Sequence, residues 1–142
     1  MLLEVKNIKK SFKVNNKSNY ILNDLSLFIN RNEIVSLYGA SGSGKSTLLN
    51  IISGLISFDS GEIIFNSKKM DKSFDYVNFR KNDLGIIFQE DHLLTEFNVL
   101  ENIMLPSIIA GNTKKVSHKL ACELLKNFDL FSLKDSYSST LS

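Results

Sequence analysis

One octapeptide constrains this chain more than any other feature: Gly39-Ala40-Ser41-Gly42-Ser43-Gly44-Lys45-Ser46 fits the pattern G-x-x-x-x-G-K-S/T. It follows a nearly unbroken apolar run, Ile34-Val35-Ser36-Leu37-Tyr38, and precedes Leu48, Leu49, Ile51, Ile52 and Leu55, which recur at helical spacing. The run has the length and composition of a strand covered on both faces in a parallel sheet. Strand, glycine loop and helix is the context that gives the pattern a physical meaning. A Gly/Ser-rich surface turn with an incidental lysine is the alternative, and it explains neither flank.

The residue types fit a polyphosphate. Gly39, Ser41, Gly42, Ser43 and Gly44 let the backbone curl so that successive N–H groups point inward, and the helix beginning here adds its positive dipole end. Lys45 extends an ammonium toward the β and γ phosphates, Ser46 offers a hydroxyl to Mg²⁺, and Thr47 is placed to bond the α-phosphate. Kinases, GTPases and transport ATPases share this loop, so the flanks must distinguish among them.

At 142 residues the length fits one domain, and neither a fixed-period repeat nor a Pro/Ser linker divides it. Alternating Leu3, Val5 and Ile8, then Leu25, Leu27 and Ile29, predict two strands near the start. Gly54 and residues 57–61 supply stop and turn signals after the loop helix. Residues 62–66 read as a short strand, 67–81 as a polar stretch, and Leu84-Gly85-Ile86-Ile87-Phe88 as another strand leading into Gln89. Asn98 with Glu101 predicts a capping box for a helix carrying Leu100, Ile103 and Met104, which Pro106 would kink or end. Val116, Leu120, Leu124 and Phe128, with Ala121 and Leu125 beside them, predict the apolar face of a further helix.

Composition narrows the classes. With 43% hydrophobic and 23% charged residues the chain can bury a core. A net charge of +2 and only two arginines, Arg31 and Arg80, argue against a nucleic-acid partner. The longest apolar stretch, residues 48–58, is interrupted and too short to span a membrane. The first residues carry no signal-peptide pattern, and Cys122 is the sole cysteine, in keeping with a reducing cytoplasm.

Over its whole length the sequence resembles the nucleotide-binding domain of ABC transporters. The likeness runs through Leu3-Glu4-Val5-Lys6-Asn7-Ile8 with Lys10-Ser11-Phe12, Leu22 to Leu27, Asn32 to Val35, the glycine loop, Gly54-Leu55, Ser60-Gly61-Glu62 and Leu84 to Gln89. The resemblance implies an α/β P-loop fold with an N-terminal antiparallel β subdomain, residues 1–92 reaching as far as the Q-loop and 93–142 starting a helical subdomain. It implies that Phe12 stacks on adenine, with Tyr20 the weaker candidate, and that Gln89 is a catalytic residue that reaches Mg²⁺ or its water. ATP and Mg²⁺ are the implied cofactors, and transmembrane permease subunits and a second ATPase subunit the implied partners. The implied location is the cytoplasmic face of the cell membrane, without a span of its own. Asp91-His92-Leu93-Leu94, Phe97, Leu100 to Ile103 and Pro106 resemble the branch of lipoprotein-releasing and macrolide-exporter ATPases, in which residues 93–105 would lie near the permease.

The family also uses an apolar strand ending in Asp-Glu and a signature loop beginning Leu-Ser-Gly-Gly. No Asp-Glu dipeptide occurs here, and Leu141-Ser142 stands where the signature loop would start. The expectation is an N-terminal fragment of a longer ATPase that binds ATP without turning it over. Two rivals stay in view: a non-catalytic or decayed P-loop module, and a kinase or GTPase. Against the second, the chain has neither an Asn/Thr-Lys-x-Asp guanine motif nor an arginine-rich lid.

Overall fold

The computed structural model describes residues 1–15, 17–90, 92–137 and 139. Asp91 of the branch likeness and Leu141-Ser142 of the expected signature loop lie outside the described residues. The chain forms two compact units, Met1–Tyr76 and Val77–Ser142.

In the first unit, β1 (Leu3–Val14) and β2 (Lys17–Ile29) form a long antiparallel hairpin. β3 (Ser60–Phe65) pairs with the other side of β1, and the two-residue β4 (Lys68–Lys69) closes the sheet in the order β2-β1-β3-β4. Asn66 and Ser67 both hold positive φ, 48° and 65°, as a two-residue turn between β3 and β4 requires. The expected first strand is therefore twice as long as its apolar alternation indicated, and Phe12 lies near its end.

The apolar spacing in β1 is irregular, and its register explains why it works. Val5 pairs with Leu27 but Ile8 with Leu25, so Lys6 and Asn7 face Ser26 alone. Without this bulge Ile8, three positions past Val5, would point to the opposite face; with it, both are buried. Asn7 takes positive φ, its N–H donating to Ser26 Oγ at 2.8 Å and its Nδ2 to Asp24 Oδ1 at 3.0 Å. Gly61 packs on the same bulge at φ +106°, and a Cβ there would stand 2.6 Å from the carbonyl oxygens of Lys6 and Asn7.

Helix α1 (Lys45–Ile52) buries Leu48 and Ile51, which with Leu3, Val5, Ile8, Leu22, Ile63 and Met70 make the core of this unit. It stops where expected: Gly54 N–H donates to Ile51 O at 3.0 Å and Leu55 N–H to Asn50 O at 2.9 Å, a Schellman closure.

Ile34–Tyr38 and Leu84–Phe88 correct the expectation of strands. Neither joins any sheet among the described residues, and Ile34, Tyr38 and Ile87 are 97%, 89% and 101% exposed. A parallel strand exists only through ladder partners on its edges, and no described segment pairs with either run.

The second unit is helical. α2 (Tyr76–Asn82) leads into it, so the stretch 67–81, read as polar and irregular, contains β4 and most of a helix. α3 (Val99–Ile109) opens with the expected capping box: Glu101 N–H donates to Asn98 Oδ1 at 2.8 Å and Asn98 N–H to Glu101 Oε2 at 3.0 Å. Pro106 lies inside α3 without ending it, because the capping box fixes one end and a Schellman closure through Gly111 fixes the other.

α4 (Lys114–Asn127) packs on α3 through Leu100, Met104, Ala121 and Leu125. Of the expected apolar face, Ala121 and Leu125 are buried and the other four residues are not. Val116, Leu120, Leu124 and Phe128 are exposed, and the helix is turned by one residue so that Ser117, Ala121 and Leu125 face inward. Small residues let the two helices approach closely, and Ser117 Oγ donates to Ser107 Oγ at 2.9 Å.

Two outcomes follow. Gly61→Ala, strained in φ and colliding with two backbone carbonyls, lowers stability by about 2–3 kcal/mol in urea unfolding. Asp59, Glu62 and Asp71 all have carboxyl groups held below their ordinary values of 3.8, 4.5 and 3.8, by Ser11, Lys69 and Ser73 respectively. A depressed folded-state value means stability fully present above the ordinary value and lost as pH falls through the folded one. Across the acid range the stability of the first unit is therefore level near pH 5 and above, and falls below about pH 4; Asp59→Asn flattens that acid decline in pH-dependent thermal unfolding.

Candidate functional site

Residues 39–46 form a curled turn closed by their own lysine. Lys45 Nζ reaches back across the turn and donates to Gly39 O and Ala40 O, both at 2.7 Å. Ser43 N–H donates to Ala40 O at 3.2 Å, drawing in the other side. Gly44 is the N-cap of α1, with φ 92° and no side-chain cap. It is also packed shut, because a Cβ there would stand 2.8 Å from Leu22 Cδ2 and 3.1 Å from Ile21 O. Only glycine meets both demands.

The first helical bond of α1 runs from Leu48 N–H to Gly44 O at 2.8 Å. The amides of Lys45, Ser46 and Thr47 precede it, so helix geometry leaves them without a partner inside the helix and turned toward its positive end. Gly39, Ser41, Gly42, Ser43 and Ser46 are exposed, and Lys45 and Thr47 are half-buried. This set fits a phosphate chain: amides and a helix terminus for its oxygens, and an ammonium already over the turn. In exchanging two neutral carbonyls for charged oxygens, Lys45 gains stronger hydrogen bonds. The Ser46 hydroxyl, exposed on the first helical turn, suits a hard cation held beside those phosphates.

Phe12 lies in the same unit, on β1 opposite Asn19, and is 43% exposed as a residue. It is not a core aromatic. Tyr20, opposite Ser11, is also exposed. Lys10 Nζ stands 5.1 Å from the centroid of the Phe12 ring. Gln89 belongs to the second unit, exposed at a bend after Leu84–Phe88. Nearby in sequence, His92 packs edge-on against Phe88 at 4.9 Å between ring centroids. Among the described residues no group of three or more His, Cys, Asp or Glu gathers as a metal site, and no helix is long and apolar enough to cross a membrane.

Two organising residues escape sequence reading. Asn102, on α3, accepts from Leu94 N–H at 2.9 Å, and its Nδ2 donates to the carbonyls of Leu94, Phe97 and Asn98 at 3.0 to 3.1 Å. It thereby fixes residues 94–98 ahead of α3, and its one signal was an asparagine inside a mostly apolar helix. Asp59 accepts from Ser11 N–H and Ser11 Oγ, each at 2.7 Å, and from Lys10 Nζ at 3.4 Å. Nothing in its Asp-Ser-Gly turn announces a partner 48 residues away.

Comparison with known proteins matches this geometry. The ABC transporter family profile matches residues 22–142. The chain is 43% identical over 127 residues to the lipoprotein-releasing system ATP-binding protein LolD of Wigglesworthia glossinidia brevipalpis, covering 88% of this chain and 56% of that protein. It is 40% identical over 142 residues to LolD of Treponema denticola, covering 97% and 62%. A protein named for hemin import, HrtA of Staphylococcus haemolyticus, is 37% identical over 143 residues, covering 100% and 65%. The backbone superposes with a TM-score of 0.90 and 32% identity on the ATP-binding cassette MJ0796, solved as a dimer in a post-hydrolysis state bound to ADP and Pi; 99% of this chain matches 63% of that one. The chain thus spans between 56% and 65% of the length of these relatives. A profile match over most of its residues, joined to relatives of this identity and to a helix-capped glycine loop in its expected place, shows that the chain belongs to the ABC transporter family, with the fold of its ATP-binding cassette.

Proposed function

We propose that this chain is the nucleotide-binding part of an ATPase subunit that drives a membrane permease. The observation that carries the reading is the turn itself, curled around Lys45 at the start of α1. Gly39, Ser41, Gly42, Ser43 and Gly44 curl the backbone around the triphosphate, the amides of Lys45, Ser46 and Thr47 at the start of α1 face it, the Lys45 ammonium neutralises the β and γ groups, and Thr47 bonds the α-phosphate. Ser46 and Gln89 are the residues that would hold Mg²⁺, Gln89 directly or through water, and the bound cation would supply charge neutralisation at the phosphates. Phe12 offers its exposed ring to adenine.

Two such domains enclose ATP between them, and the segment 93–105, held by Asn102, faces the permease. The names of the LolD relatives favour lipoprotein release as the work performed. The subunit then works at the cytoplasmic face of the membrane. Functionally, residues 1–92 bind nucleotide and residues 93–142 begin the arm that engages the permease.

These 142 residues by themselves act as a binding module, because they contain no Asp-Glu pair to polarise the attacking water. Two measurements test the reading. Lys45→Ala weakens ATP binding at least about tenfold in titration calorimetry, and Ser46→Ala removes the Mg²⁺-dependent part; unchanged binding in both variants refutes the site. The 142-residue chain releases no phosphate above background with Mg²⁺ and ATP; release that Lys45→Ala abolishes overturns the module reading.

A further inference from the structure

What holds Phe12 in place is not the sheet alone. β3 pairs with β1 only as far as Lys9↔Ser60, so from Lys10 onward β1 keeps a ladder on its β2 edge only. That ladder is itself irregular, with a register shift between Lys10 and Ser11. The residue just before β3 takes over where the pairing stops. Asp59 N–H donates to Lys9 O at 2.8 Å, and its carboxylate accepts from both the N–H and the hydroxyl of Ser11 at 2.7 Å. One side chain thus extends the β3 edge by two residues, up to the residue before Phe12.

The same carboxylate acts on the ring from a second side. Its other oxygen holds Lys10 Nζ at 3.4 Å, and that ammonium stands over the Phe12 ring at 5.1 Å. The Lys10 side chain is only 13% exposed, so the cation is not free to wander through solvent. Carboxylate, ammonium and ring form a short chain in which Lys10 stands over one ring face, while Phe12 as a whole remains exposed enough to meet a flat partner.

We propose that Asp59 is a positioning residue for nucleotide recognition: through Ser11 and Lys10 it fixes the Phe12 ring for a stacked base, without touching nucleotide itself. This rests on Phe12 being the adenine platform. An unclamped ring must be ordered by the base at binding, and that ordering lowers affinity for the base while leaving the phosphate loop untouched.

The test separates base from phosphate. In the full-length protein, competition against a fluorescent ATP analogue gives the affinities of ATP and of inorganic tripolyphosphate for wild type, Phe12→Ala, Asp59→Ala, Asp59→Asn and the Phe12→Ala/Asp59→Ala pair. Asp59→Ala weakens ATP about fivefold, leaves tripolyphosphate unchanged, and adds nothing in the Phe12→Ala background. Asp59→Asn, which can still accept from Ser11 but cannot pair with Lys10, gives a smaller loss confined to ATP and serves where the alanine variant fails to fold. Equal weakening of both ligands, no effect on either, or additivity with Phe12→Ala overturns the proposal. A normal ATP affinity in Phe12→Ala instead sinks the adenine reading on which it stands.

Discussion

The glycine turn depends on a single cation. Without Lys45 the carbonyls of Gly39 and Ala40 converge on one side of the turn with nothing positive between them, and the amides at the start of α1 add their own unmet demand. The ammonium at 2.7 Å from both carbonyls resolves the first problem. The second suits a ligand, since the only partners that satisfy several inward amides and a helix terminus together are anionic oxygens. Gly44 makes the arrangement possible by taking φ 92° where Leu22 and Ile21 leave no room for a side chain. Core packing, turn geometry and anion affinity are therefore one constraint met at one residue.

Features set by near neighbours were legible before any coordinates. Glycine and lysine spacing fixed the loop and the start of α1, the pair Asn98 and Glu101 fixed the start of α3, and Gly54 fixed the end of α1. Each is decided by bonds that close within about five residues. The two strands that pair as β1 and β2 were legible too, from the alternation of Leu3, Val5 and Leu25 to Ile29, while their antiparallel pairing was implied by the family likeness.

What escaped depends on distant partners. The run from Ile34 to Tyr38 has every local property of a buried strand, yet a strand is completed by its neighbours, and its side chains stand exposed here. The expected apolar face of α4 held Ala121 and Leu125, which are buried, but Val116, Leu120, Leu124 and Phe128 stay exposed, and packing on α3 turned Ser117 inward instead, where its hydroxyl meets Ser107. The bulge that buries Ile8, the clamp of Asn102 and the reach of Asp59 to Ser11 are likewise pairings across the fold that no single segment encodes. Family likeness supplied the functional roles of Phe12 and Gln89, which composition and periodicity do not.

Lys45 can serve the phosphates of ATP only by giving up the carbonyls of Gly39 and Ala40. A crystal structure with ATP and Mg²⁺ decides it: Lys45 Nζ leaves Gly39 O and Ala40 O and lies about 3 Å from β- and γ-phosphate oxygens, with the amides of the turn directed at the same chain. A nucleotide seated elsewhere, with Lys45 still bonded to its two carbonyls, contradicts it.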